Sequence, residues 1–292
     1  MADTDKKEID DISGVETTGH EWDGIKELNN PMPRWWVTTF YITIVWAIGY
    51  SIAYPAWPGI TGATAGVLGW SSRGDLTAEI DAAKADQAVY LDRLAEADIQ
   101  TVASDPELLQ FAVAGGSSAY KVYCSQCHGS GHAGGGGYPN LNDDDWIWGG
   151  SLEAIETTLL HGIRYNGDDD TRLSEMPRFG ADELLSRDEI SDVAWFVREL
   201  SGQETDQEAA ARGSVTYAEQ CSFCHGDAGE GLQDLGAPNL ADAIWLYGGT
   251  HTELVAQISN PQQGVMPGWQ ERLGETTVKQ LAVYIHQLGG GE

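Results

Sequence analysis

A chain of 292 residues with 45 acidic against 16 basic side chains carries a formal charge of −29. That balance excludes a nucleic-acid surface, which needs clustered Lys and Arg to neutralise phosphates, and it suits a well-solvated exterior, the steering of a basic partner, or both. The length allows two small domains with accessory segments, and four cysteines are too few for a disulfide scaffold of this size.

Residues 1–34 are polar and acidic, lack core periodicity, and read as a cytoplasmic tail ending in Asn29-Asn30-Pro31-Met32-Pro33-Arg34. Residues 35–57, from Trp35 to Trp57, contain no charged side chain. At about 1.5 Å per residue this stretch is long enough to cross a hydrocarbon layer of about 30 Å, and Trp35, Trp36 and Trp57 suit its two interfaces. A cleaved signal peptide fits less well, because the segment starts late, is too long, and lacks both a basic flank and a small-residue cleavage site. Residues 58–110 follow as a linker. Its first part, to Trp70, is Gly-rich and apolar, and from Leu76 to about Leu109 acids interleave with Ile80, Ala83, Val89, Leu91 and Leu94 in a rough helical stripe.

Beyond Phe111 the sequence repeats itself. CSQCHG, YPNLNDDDWIWGG, EMPRFG and DEISDVAWFVREL recur in the same order as CSFCHG, APNLADAIWLYGG, VMPGWQ and VKQLAVYIHQLGG. Four features in one order at similar spacing mark duplicated domains, at 111–201 and 208–292, with the junction in a polar stretch. Each is expected to be small and mostly helical.

Both cysteine pairs are followed by histidine: Cys124-Ser-Gln-Cys127-His128 and Cys221-Ser-Phe-Cys224-His225. Cys-x-x-Cys-His is the c-type haem attachment pattern, in which two thiols form thioethers to the haem vinyl groups and the adjacent His ligates the iron. Two such sites predict two covalently bound haem c groups. Because this attachment happens outside the cytoplasm, the C-terminal bulk is expected in the periplasm. Of four methionines, Met1 and Met32 precede the apolar span, which leaves Met176 and Met266, one per repeat and each before Pro, as the second axial ligands. A lone Met is usually core filler, but paired positions in a duplicated haem module favour ligation. His/Met coordination raises the potential and fills both axial positions, so these haems conduct rather than catalyse. Spacing pairs each Met with its own repeat's haem, and an exchange between repeats fits the same sequence.

Pro139 and Pro238 stand where a carbonyl can orient His128 and His225, or simply in turns. Arg164 is either a partner for a haem propionate or a surface charge. Of the spare histidines His132, His161, His251 and His286, only His161 is a candidate alternative ligand. Trp146, Trp148 and Trp245 are expected to pack around the haems.

The segment from Asp23 to Trp36, Tyr138-Pro-Asn-Leu to Trp146, the two Cys-x-x-Cys-His sites, Met176-Pro177, Met266-Pro-Gly-Trp269 and Val278 to Val283 together resemble the dihaem subunit of cbb3-type cytochrome c oxidase, of the FixP/CcoP type. The motif before the span discriminates, since haem motifs are shared by many cytochromes. The resemblance implies a mainly α fold: one N-terminal transmembrane helix followed by two tandem class I cytochrome c-like domains. It implies a single-pass protein of the bacterial inner membrane that takes electrons from a donor cytochrome c and passes them to the monohaem and haem-copper catalytic subunits, where oxygen is reduced to water. It also implies exchanged Met ligands, with Met176 serving the second haem and Met266 the first. The rival from another setting is a free-standing dihaem shuttle serving a different reductase. A dihaem peroxidase would need an exchangeable ligand, and a gas sensor a vacant site.

Overall fold

The computed structural model describes residues 8–242 and 244–291; the first seven residues of the expected tail, Ala243 and Glu292 lie outside the described residues. The chain divides into two compact units with the boundary after Ala85.

In the first unit the expected tail contains a hairpin. Strand β1 (Thr17–Trp22) pairs antiparallel with β2 (Ile25–Leu28), Glu21 opposite Lys26 and Trp22 opposite Ile25. Asp23 and Gly24 turn the chain with φ of 51° and 84°, two successive left-handed residues as in a type I′ turn, for which Asp-Gly is a preferred pair. That dipeptide was the available signal, and the absence of clean alternation around it hid the strands. Helix α1 (Arg34–Ala53) follows with a mean hydropathy of 1.4 and no buried residue. Its hydroxyls donate back into the helix, Thr38 to the Arg34 carbonyl at 2.9 Å, Thr39 to Trp35 at 2.9 Å and Ser51 to Ala47 at 2.8 Å, so they need no water to be satisfied. The helix ends at Ala53 rather than at Trp57 because Pro55 disfavours a helical Tyr54 and cannot extend the ladder. Twenty residues still span about 30 Å, a length compatible with a membrane anchor.

Helix α2 (Ser72–Glu96) crosses the unit boundary. In the second unit α3 (Ile99–Ser104), α4 (Pro106–Tyr123) and the short α5 (Ser125–His128) lead into the first cysteine pair. Asp105 caps α4 by accepting from the Glu107 and Leu108 amides, with Pro106 in the first turn where no amide is needed. Helices α6 (Leu152–His161), α7 (Arg187–Leu200), α8 (Gln207–Gln220), α9 (Ser222–His225), α10 (His251–Ser259), α11 (Gln270–Leu273) and α12 (Glu275–His286) complete the unit. Reciprocal capping boxes start α7 (Ser186 with Glu189) and α10 (Thr250 with Glu253).

The repeats exchange their closing elements. One core is built from Leu94, α3, α4 and α6 of the first half together with Trp269 and α12 from the end of the chain. The other combines α8 and α10 with Phe179 and α7 from the first half. The ranges 111–201 and 208–292 therefore describe repeat units of sequence, while each packed core draws on both. Val278, Leu281 and Val283 of α12, and Ile190, Val193 and Ala194 of α7, present the same kind of apolar stripe to their respective partners.

Both crossings are tight. A Cβ on Gly116 of α4 would lie 2.2 Å from the Gln280 carbonyl oxygen of α12, and one on Gly213 of α8 would lie 2.1 Å from that of Asp192 in α7. Gly213→Val is expected to cost about 3 kcal/mol or more, because the obstructing atom is backbone and the helices must part; thermal unfolding of the full chain measures it, and an unchanged midpoint would show that the helices do not cross there.

Candidate functional site

The two Cys-x-x-Cys-His segments are built alike. Cys124 ends α4 and Cys221 ends α8, each donating its amide to the carbonyl four residues back, of Tyr120 and Tyr217. One further turn, α5 or α9, carries the second cysteine and the histidine. A buried tyrosine braces each turn: Tyr120 donates to the Gly129 carbonyl at 2.7 Å and Tyr217 to that of Gly226 at 2.9 Å.

His128 Nδ1 lies 3.2 Å from the Pro139 carbonyl oxygen, and His225 Nδ1 lies 3.1 Å from that of Pro238. Proline carbonyls only accept, so each ring holds its proton on Nδ1 and leaves Nε2 as a lone-pair donor. Burial pulls both imidazoles below the usual histidine range, with the proline carbonyl opposing it. Neutral rings with a fixed tautomer are what metal ligation needs. Burial also pushes the thiols of Cys124 and Cys221 up to about 11, which disfavours thiolate chemistry at these positions. Among the described residues, the three-residue group with ligand atoms close enough to share an ion is His161, Asp168 and Asp170, and it includes no cysteine. The cysteine pairs are therefore arranged neither as zinc sites nor as disulfides.

The methionines fall across the exchange. Met266 packs against the core that contains Cys124 and Trp146, and its backbone pairs with Ile163 in both directions, at 2.8 and 3.0 Å. Gly162, with φ of 73°, makes this approach feasible, since a Cβ there would lie 2.3 Å from the Met266 carbonyl oxygen. Met176 packs against the core that contains Tyr217 and is flanked by Cys221 and Trp245, and Gln263 donates to its carbonyl at 3.1 Å. Each methionine thus packs against the core that holds the first cysteine of the opposite repeat.

Among the described residues, Trp245 Nε1 and Arg172 Nε are buried without a hydrogen-bond partner. The counterpart of Trp245 in the first repeat, Trp146, donates instead to the Gly290 carbonyl. Orphaned donors of this kind, which are costly to leave unmade, match acceptors such as carboxylates on a group not formed by the chain. With the neutral imidazoles and buried thiols, they fit a haem.

Arg164 is more than a surface charge. It is partly buried and donates to the Gly264 and Ser174 carbonyls at 2.8 and 3.0 Å, tying the exchanged segments together. His161 is occupied by Asp168 at 3.0 Å, His132 by Tyr284 at 2.7 Å, and His251 stacks on Trp195 with ring centroids 4.0 Å apart. Gln263 and Arg172 were not legible as site residues, because neither lies in a repeated motif. A cleft of about 500 Å³ lies between Asp144–Ile147 and Glu230–Asn239. Its lining includes Asp144, Asp145, Glu230 and Asp234, with Ala237 and Asn239 on either side of the Pro238 that orients His225, and no thiol or imidazole.

Residues 14–61 match the N-terminal domain of cytochrome oxidase-cbb3, FixP, and residues 111–197 and 208–285 each match cytochrome c oxidase, cbb3-type, subunit III. Over its whole length the chain is 53% identical to the whole of the cbb3-type cytochrome c oxidase subunit FixP of Rhizobium meliloti. It is 53% identical to the CcoP subunit of Cereibacter sphaeroides, covering 94% of this chain and 95% of that protein. With FixP of Bradyrhizobium diazoefficiens the identity is 50%, over 99% of this chain and all of that one.

Proposed function

We propose that this chain, which belongs to the FixP/CcoP family of cbb3-type cytochrome c oxidase subunits and so is an electron-transfer subunit of such an oxidase, holds two covalent haem c groups and itself performs no catalysis. Cys124 and Cys127 would bind one haem, with His128 and Met266 axial; Cys221 and Cys224 would bind the other, with His225 and Met176 axial. When bound, each haem supplies a one-electron couple. The carbonyls of Pro139 and Pro238 hold the His128 and His225 rings in one tautomer and orientation, and the thioethers of Met266 and Met176 would raise the potential above that of a bis-imidazole site. The indole N–H of Trp245 and the Arg172 guanidinium have donors to offer the carboxylates of a buried haem. The observation that supports this reading is that each Cys-x-x-Cys-His segment has its histidine oriented by a proline carbonyl while the methionine of the opposite repeat packs against the core of its first cysteine.

Residues 111–201 and 208–292 would be the two cytochrome c-like repeats, placed in the periplasm by a single inner-membrane span, with residues 1–34 in the cytoplasm. A donor cytochrome c would supply the electrons, and the monohaem and haem-copper subunits would receive them. The free-standing shuttle is not favoured, since the relatives are oxidase subunits that align from end to end.

Purification of the native complex with a pyridine haemochrome assay tests this. Two c-type haems per chain are expected, and Cys124→Ala with Cys127→Ala should leave one; retention of two would refute the attachment site. Oxidation of a basic donor cytochrome by the intact complex is expected to slow severalfold as salt rises from about 10 to 200 mM, because a net charge of −29 attracts it through a screened field. A salt-independent rate would leave the acidic surface a solvation role only.

A further inference from the structure

The hairpin before the span is a surface in need of a cover. A two-stranded sheet is marginal by itself, and here its one deeply buried side chain is Thr17. Trp22 and Ile25, directly opposite each other beside the turn, are 66% and 70% exposed, and Ile9 and Ile12 are exposed as well. The hairpin is also short of reach. The Asn29 amide donates to the Glu16 carbonyl, which closes the hairpin there, and α1 begins at Arg34 after two prolines. Those few residues hold the sheet within about 17 Å of the start of the helix.

Charge selects the partner. Residues 8–34 contain seven carboxylates, of Glu8, Asp10, Asp11, Glu16, Glu21, Asp23 and Glu27, against Lys26 and Arg34. An anionic lipid surface would repel this segment. The cytoplasmic loops of integral membrane proteins, by contrast, carry an excess of Lys and Arg close to their spans. Resting on the orientation given under Proposed function, we infer that the acidic hairpin of residues 8–28 docks its Trp22–Ile25 edge on the basic cytoplasmic loops of an integral membrane subunit of the same oxidase. The carboxylates meet the loop cations, the two apolar side chains are covered, and the subunit is held in register at the membrane face opposite its haem modules.

The test uses the full chain in its native membrane. A benzophenone amino acid in place of Ile25 is photolysed and the adducts identified by mass spectrometry, and Ser13→Cys reports sidedness through a membrane-impermeant maleimide. Labelling of Ser13→Cys in inverted vesicles only, with an adduct to an integral membrane subunit of the oxidase, is expected. In the Asp11→Lys, Glu27→Lys variant, which leaves the turn and the Trp22–Ile25 pair intact, the adduct should fall at least about fivefold as attraction becomes repulsion. Adducts to lipid or to a second copy of the chain, or a yield unmoved by charge reversal, would overturn the docking inference. Labelling from the periplasmic face would overturn the orientation itself.

Discussion

In Met266→Ala, the haem at Cys124 and Cys127 is expected to stay attached while its reduction potential falls by ~0.2 V, a moderate part of the ~0.8 V range that axial ligands command. Attachment survives because the thioether bonds and His128 are untouched. The potential falls because a thioether that favours the reduced iron is gone. The first haem is the one expected to respond, although Met266 lies in the second repeat, since its backbone pairs with Ile163 and its side chain packs against the core of Cys124. Potentiometric titration in two single-haem backgrounds decides the matter. With Cys221→Ala and Cys224→Ala the drop is expected; with Cys124→Ala and Cys127→Ala the remaining potential should stay put. The opposite pattern would return each methionine to its own repeat.

Removal of residues 275–292 is expected to open the first core and spare the second. Val278, Leu281, Val283 and Ile285 of α12 are all buried against α4 and α6. At about 1.5–3 kcal/mol each, their loss removes on the order of 6–12 kcal/mol, comparable to the whole stability of a small domain. The second core closes with α7 instead and keeps its full set of helices. Hydrogen exchange followed by mass spectrometry should show α4 and α6 losing protection while α8 and α10 retain it. Loss of protection in α8 and α10 with α4 and α6 unchanged would mean that each repeat closes on itself.

Much of this protein is written in local pattern. An uncharged run of adequate length implies the apolar helix α1, and two Cys-x-x-Cys-His segments, each followed by Pro-Asn-Leu and Met-Pro, announce a duplicated cytochrome c-type module. These features are legible because their chemistry needs particular residues at fixed spacing along the chain. The mainly helical fold and family were readable for the same reason. The hairpin was harder to see, because a bulged pairing and mixed residues blur the two-residue alternation that marks a strand. The end of α1 was overextended because composition does not register the effect of Pro55 on Tyr54.

What sequence alone determined was the inventory: the thiols, the imidazoles, one methionine per repeat and the amphipathic helices that could close each core. Tertiary structure decided the partnership. Helices α7 and α12 carry interchangeable apolar stripes, so hydrophobic pattern cannot say which core each one closes. The choice is made by close backbone approaches between distant segments, at Gly162 with Met266, Gly116 with Gln280 and Gly213 with Asp192. Those contacts depend on where two chain segments meet in space, and no spacing along the sequence encodes that meeting.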